Sequence, residues 1–334
     1  MTEEKRSACL WTGMACAGLG LLGPLLALCG GWAWVLPLAC LPAAVGVAEL
    51  WRRLGDISDL PRPLRGVYLL WGLVLLAASA GASARRLLLS YRGENPWLYL
   101  IAGAALCLWL CGREGKIPCR TGRLLFLPAA AVLLVLLALS LPGLRWENLG
   151  MEKAPEGKEL AQGFLLCLSL SGYGVYGLSL PGRAGGKTWR VSLCALLSAL
   201  LLSLGATFGP VLAAGRQEPV LLLLEGAQVP GIFRHGEAAL ESGLSLGELV
   251  LLMMLAYGCR AVAGRTGLLL AAGAILTGGF LPNGAAKLVP IGNLTMGVLV
   301  PIVVLWGRGQ QHLVVEGIVT KLKQKKAKKP LTNP

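Results

Sequence analysis

Long apolar segments separated by short, mostly basic connections extend over nearly the whole chain. Their positions are continuously apolar and do not alternate with polar ones, and about 20 such residues are enough for a helix to cross the hydrocarbon core of a bilayer. We predict helices because an isolated segment in lipid must satisfy its own backbone hydrogen bonds. Ten segments are predicted: residues 8–29, 31–50, 66–85, 96–112, 123–142, 160–180, 191–214, 246–264, 266–282 and 288–306.

Two of these segments contain residues that weaken a helix near its middle. The first carries "GLGLLGP" from residue 18, and the sixth carries "SGYGVYG" from residue 171. Ten segments divide into five and five, so the interruptions fall at corresponding positions of two halves. Corresponding breaks are typical of inverted-repeat transporters, in which unwound backbone lines a site near the bilayer midplane. We therefore predict an all-α membrane protein with ten transmembrane helices in a five-plus-five inverted repeat, discontinuous in helices 1 and 6.

In this interpretation the repeats cover residues 8–142 and 160–306, and residues 307–334 form a basic tail. Freed carbonyls at the breaks can face an ammonium group or a cation, and half-helix N-termini can bind a carboxylate. The alternative is that the glycines only allow close helix packing, as small residues do in membranes. The predicted ligand site consists of Gly18, Leu19, Gly20, Ser171, Gly172, Tyr173 and Gly174, completed by Ser79 and Tyr257.

Three ionisable residues near the ends of apolar segments have two explanations each. Arg85 and Arg86 end the third segment, where their side chains can snorkel to the interface or guide an anionic ligand. Glu248 lies one turn into the eighth segment, where headgroup-level solvation or a buried partner explains it.

Composition and charge support a membrane protein. The 334 residues are 55% hydrophobic and only 14% charged, and the mean hydropathy is +0.66. A soluble domain of this length needs more polar surface. The net charge of +14 would suggest nucleic acid in a soluble chain, but most of the lysines and arginines fall in connections on the side of the N-terminus and in the tail.

This distribution predicts that both termini are cytoplasmic. The tail "KLKQKKAKKP" is then expected to contact anionic lipid headgroups, or to dock a cytoplasmic partner, and no nucleic-acid partner is expected.

No pattern of an enzyme, metal site or cofactor site is found in the sequence. The chain has no P-loop, no GxSxG and no HExxH motif. Most of the ten cysteines lie within or at the ends of apolar segments and none forms a CxxC pair, which favours packing roles over ligation or disulfides. The eighth segment has no Ser or Thr after Ser245, and the fifth has no interior Lys.

Three stretches carry a family resemblance: "TGRLLFLPAAAVLLVLLALSLPGLRWENL" (121–149), "GLGLLGPLLALCGGWAWVLPL" (18–38) and "EPVLLLLEGAQVPGIFRHGEAAL" (218–240). They resemble the fifth helix, the first helix and an outer segment of the spore germination permease family. These are the B subunits of nutrient germinant receptors, within the amino acid, polyamine and organocation transporter superfamily. The resemblance implies a membrane subunit of the cell membrane or spore inner membrane that senses a small nutrient, such as an amino acid, with A-type and C-type partner subunits. An independent amino acid permease of the superfamily is the alternative.

Overall fold

The computed structural model describes residues 2–90, 95–113, 116–151, 154–180, 188–216, 219–226, 236–280 and 288–307. Within these ranges every regular element is helical. The α-helices are α1 (Thr2–Leu19), α2 (Leu22–Cys29), α3 (Val35–Leu54), α4 (Arg62–Ser90), α5 (Pro96–Gly112), α6 (Lys116–Ser140), α7 (Gly157–Ser169), α8 (Ser171–Leu178), α9 (Thr188–Phe208), α10 (Pro210–Ala214), α11 (Pro219–Gly226), α12 (Gly236–Thr277) and α13 (Val289–Leu294). Beyond its last residue, α13 continues through a π-helical turn (Thr295–Leu299) to residue 307.

Several of these helices identify a multi-pass membrane protein. Six helical segments in the described part of the chain are long and apolar enough to cross a membrane, and the bent pair α1–α2 adds a seventh if it counts as one span. Large apolar side chains also cover the outer surface, among them Leu98, Leu124 and Val303. Such a surface is costly in water and favourable against lipid. The all-α membrane class predicted from the sequence is therefore confirmed.

The first predicted interruption coincides with a bend between α1 and α2. α1 ends at Leu19, α2 begins at Leu22, and the two axes differ by 51°. The N–H of Leu21 turns back to the Gly18 carbonyl at 3.0 Å. Gly20 is exposed and has only the Ala17 carbonyl oxygen near its missing side chain. The backbone therefore borders open space at this bend.

The second interruption is narrower than predicted. α7 ends at Ser169 and α8 begins at Ser171, so only Leu170 separates them, and its φ of −55° and ψ of −28° are still right-handed helical values. The expectation of unwound backbone over residues 171–174 was wrong, since these residues form the first turn of α8. The helix survives because glycine there permits close packing that stabilises it, as shown below.

The helix α12 is two arms joined at a sharp turn. A straight helix of 42 residues would be about 60 Å long, twice the hydrocarbon thickness. Non-helical dihedrals occur at Ala263 and Gly264, where the φ of Gly264 is +63°, a value that glycine adopts without strain. The turn falls next to the predicted boundary between the eighth and ninth segments.

Contacts with α4 and α5 show that the two arms run in opposite directions. Along the first arm, Glu248 meets Arg86 near the end of α4, while Cys259 lies against Gly72 nearer its start. The first arm is therefore antiparallel to α4. Along the second arm, Leu268 lies against Gly112 at the end of α5, and Gly279, just beyond the arm, lies against Leu100. The second arm is therefore antiparallel to α5. The first arm runs parallel to α5, since Leu252 lies against Gly103 and Arg260 donates to the Cys111 carbonyl. The two arms are thus antiparallel to each other.

Residues 9–19 of α1 and the first arm of α12 are mostly buried and lie at the centre of the bundle. α1 packs on α6, α9 and α12, and α12 packs on α4 and α5. The predicted tail lies outside the described residues from position 308 onward.

Candidate functional site

A cavity of about 620 Å³ opens where the two helix interruptions face each other. Its wall combines the α1–α2 junction, one face of α4, the α7–α8 junction, the first arm of α12 and the start of α13. The volume lies within the range of roughly 300–1,000 Å³ that is usual for small-molecule sites. Most of the lining is apolar, with a few polar side chains grouped on α4, α8, α12 and α13.

The polar face of α4 consists of Ser79, Ser83 and Arg86. They are spaced by four and three residues, so they lie on one side of the helix. The Ser83 hydroxyl donates to the Ser79 carbonyl at 3.0 Å. At 1.5 Å per residue the stripe is about 10 Å long, comparable with a small metabolite. All three residues line the cavity.

Arg86 is buried and forms ion pairs with two carboxylates of α12. Its Nη2 donates to Glu248 Oε2 at 2.7 Å, and its Nε lies 3.1 Å from Glu241 Oε1. The exposed fractions of the side chains are 2% for Arg86, 2% for Glu241 and 13% for Glu248. The two glutamates are seven residues apart, two helical turns, and so share one face of α12. Arg86 does not snorkel, and the buried-partner explanation holds for Glu248.

Asn293 is another residue of the cavity wall; it is fully buried and has a defined orientation. The Trp71 indole nitrogen donates to its Oδ1 at 3.0 Å. Because an indole nitrogen can only donate, this bond assigns the two ends of the amide, and Nδ2 points away from Trp71. Nδ2 makes no hydrogen bond of normal geometry to any described residue. The hydroxyl of Tyr173 lies beside Asn293 and Ser79 and interacts with both.

The π-helical turn after Asn293 is anchored from two other helices. Its carbonyls at Met296 and Gly297 accept hydrogen bonds from the Tyr68 hydroxyl at 2.6 Å and the Trp51 indole at 2.8 Å. π-helical turns are rare and occur frequently at functional sites. Gly172 lies directly against this segment, since a Cβ there would be 2.6 Å from the Cβ of Asn293. Glycine at position 172 therefore allows α8 to pack closely against this segment.

The structure distributes the predicted site residues over different surroundings. Leu19, Gly20, Ser79 and Tyr173 line the cavity together. Gly18, Ser171 and Gly174 line a second, apolar cavity of about 90 Å³ between α1, α3, α8 and α9. Gly172 packs against Asn293, and Tyr257 lies away from both cavities, with its ring 5.9 Å from the Arg260 guanidinium.

Sequence reasoning did not assign Ser83, Asn293 or the pairing of Arg86 with Glu248 to the site. The Ser79, Ser83 and Arg86 spacing was a usable signal, because one polar stripe on a membrane helix must face protein or a cavity. Asn293 gave no comparable signal, since its neighbours at i+3 and i+4 are apolar.

Two hydrogen bonds hold the C-terminal end of α8 at the end of the bundle where α1 begins. We name this pair of hydrogen bonds the α8 latch. Arg6 Nη2 donates to the Leu178 carbonyl at 2.6 Å, and the Ser179 hydroxyl donates to Asp56 Oδ1 at 2.8 Å. A cation at the C-terminal end of a helix also interacts favourably with its dipole. The latch ties α8 to α1 and to the α3–α4 connection.

We expect Ser179→Ala to lower the free energy of unfolding by about 1.5 kcal/mol, because a hydrogen bond to a carboxylate is lost. Thermal unfolding of the purified protein in detergent measures the change. The control is Ser192→Ala, whose hydroxyl donates only to the Trp189 carbonyl of its own helix. Equal shifts for the two variants would show that the latch adds no stability.

Comparison with known proteins does not identify a family. Neither protein-family models nor curated protein sequences match this chain. Function must therefore be argued from the cavity and its residues.

Proposed function

We propose that this protein is a membrane receptor-permease that binds a small nutrient, such as an amino acid, in the cavity between the two helix interruptions. The observation that carries the proposal is the ligand-sized cavity with a buried ion pair and an oriented amide in its wall. Ionisable groups within a membrane are costly and mark ligand or ion pathways by default. Hydrogen-bond donors and acceptors lie at separate positions in the cavity wall, which suits a ligand that carries a different polar group at each end.

The proposal includes the ten-helix, five-plus-five topology. The six long helices and the bent α1–α2 pair supply seven crossings, if α12 is counted once. The second arm of α12, the 17-residue α5 and the α7–α8 pair would supply the other three. The two interrupted segments are then the first segments of the two halves. Both termini lie on the same side of the membrane, which we assign to the cytoplasm from the distribution of arginine and lysine.

Within this topology the protein would act as the B-type subunit of a spore nutrient germinant receptor, together with A-type and C-type subunits. The basis is the resemblance of residues 18–38, 121–149 and 218–240 to that family. A ligand would shift the equilibrium between two helix packings by binding one of them more tightly. The bend at Gly20 and the α8 latch are the places where such a change would be transmitted to partners.

A germination assay tests this role. We expect a strain that lacks the gene to lose its response to one nutrient or one group of nutrients while other responses persist. Normal germination with every individual amino acid and sugar, in a strain with no second copy of the gene, would overturn the receptor assignment.

The second candidate is an independent amino acid permease. The Arg86–Glu248 pair at the cavity wall favours it, because buried ionisable pairs recur in proton and ion pathways of transporters. Uptake of labelled amino acids by proteoliposomes separates the two. Accumulation by this chain alone supports the permease, and binding without uptake supports the receptor.

Tyr173→Phe should weaken nutrient binding about three- to tenfold, the effect of losing one hydrogen bond of roughly 0.5–1.5 kcal/mol. A thermal-shift screen of the standard amino acids and simple sugars finds the ligand, and titration calorimetry measures its affinity. Tyr257→Phe is the matched control, since this tyrosine does not line the cavity. A larger loss for Tyr257→Phe than for Tyr173→Phe would place the ligand elsewhere.

A further inference from the structure

Of the three charged side chains in the Arg86 cluster, Glu248 offers the most surface to the cavity. Its side chain is 13% exposed and lines the cavity. Glu241 binds the same guanidinium but is only 2% exposed and is not part of the lining. A ligand in the cavity therefore meets the carboxylate of Glu248 before the other charges.

The Glu248 carboxylate has acceptor capacity left after its contacts within the protein. Oε2 accepts from Arg86 Nη2, and the Ser83 hydroxyl lies beside the carboxylate while it donates its hydrogen to the Ser79 carbonyl. An ionised carboxylate accepts about four hydrogen bonds, so these contacts leave room for a donor in the cavity. A donor with positive charge gains most, because charge-assisted hydrogen bonds are about twice as strong as neutral ones.

The surroundings favour an organic amine over a divalent metal. Within the described ranges no three His, Cys, Asp or Glu side chains come together to hold a metal ion, whereas Ca²⁺ needs six to eight oxygen ligands. Leu28, Leu166 and Leu251 line the same cavity and can cover an alkyl group.

We propose that Glu248, held by Arg86, is the subsite for a protonated primary amine of the ligand. The assignment rests on the proposed function, that the cavity binds a small nutrient, and adds the group the nutrient must carry. An inorganic monovalent cation has the same charge but lacks N–H donors and an alkyl body. The experiment separates these two sources.

The test uses the full chain in lipid nanodiscs and radiolabelled n-propylammonium as the probe in equilibrium dialysis. We expect saturable binding that n-propanol does not compete away and that sodium chloride reduces no more than tetramethylammonium chloride at the same ionic strength. Glu248→Gln should weaken binding about tenfold or more, as expected for one hydrogen bond between charged groups. Glu241→Gln, the matched control on the same guanidinium, should weaken it less than about threefold.

Three results would overturn the assignment. The first is wild-type protein that binds propylammonium no better than propanol, a comparison that decides even if Glu248→Gln fails to fold. The second is an equal loss of binding in Glu248→Gln and Glu241→Gln, which would show that both substitutions act by displacing Arg86. The third is specific displacement by sodium, which would assign the subsite to an inorganic cation.

A nutrient screen distinguishes failure of the amine-subsite assignment from failure of the proposed function. A sugar that binds wild type and Glu248→Gln equally would leave the receptor-permease standing and remove the amine subsite. Binding of propylammonium without any nutrient ligand would leave the subsite and remove the nutrient function.

Discussion

Arg86→Ala is expected to be the most damaging single substitution in this protein. It leaves the buried carboxylates of Glu241 and Glu248 without their guanidinium, and breaking a buried ion pair from one side costs about 3–5 kcal/mol. We expect a much lower unfolding temperature in detergent, reduced abundance in membranes and no binding of ligand in the cavity.

Arg85→Ala is the matched control for this loss. Arg85 is the same residue type one position earlier on α4, half-buried, and is not part of the cavity wall. Its removal should change stability far less. The triple variant Arg86→Met, Glu241→Gln and Glu248→Gln should recover much of the stability, because no buried charge is left unpaired, yet it should not recover binding. A stable Arg86→Ala protein that still binds its ligand would contradict the structural account of the cluster.

Gly297→Ala is the second substitution with a large expected effect. A Cβ at this position would lie 2.8 Å from the backbone nitrogen of Gly172 and 3.0 Å from its Cα. Backbone atoms cannot move aside as a flexible side chain can, so α8 and the π-helical turn must separate. Forced overpacking of this kind costs about 1–3 kcal/mol. The displacement would also disturb the hydrogen bonds from Trp51 and Tyr68 to this turn.

The control for Gly297→Ala is Gly273→Ala in the second arm of α12. A Cβ at Gly273 meets no atom within 4 Å, and alanine is the better helix former by roughly 0.5–1 kcal/mol. We therefore expect equal or slightly higher stability for Gly273→Ala and a clear loss, with weaker ligand binding, for Gly297→Ala. Identical unfolding temperatures for the two variants would show that α8 and the π-helical turn are not packed as closely as described.

Sequence alone determined the membrane class, the helical nature of the segments and the approximate limits of most of them. The predicted segment 96–112 coincides with α5, and the predicted boundary after residue 264 coincides with the turn in α12. These features are readable because they depend on local quantities, namely the length of an apolar run and the presence of glycine. The bend at residues 20–21 belongs to the same group.

Tertiary contacts determine the helical conformation of "SGYG" at residues 171–174. Glycine weakens an isolated helix, yet Gly172 here allows α8 to lie against Asn293 and Gly297. The same residue type thus opens the backbone at Gly20 and closes a helix interface at Gly172. Only the neighbours across space distinguish the two cases.

The cavity wall depends even more on the tertiary structure. Arg86 and Glu248 are separated by 162 positions, and Trp71 and Asn293 by 222. No local pattern links such residues, because each pairing requires α4 to pack against α12 or α13 in one register. Sequence by itself determined that this chain consists of membrane helices and that its first segment is interrupted at its glycines. Only the tertiary structure decided which buried charges meet, since long-range packing brings them within hydrogen-bonding distance.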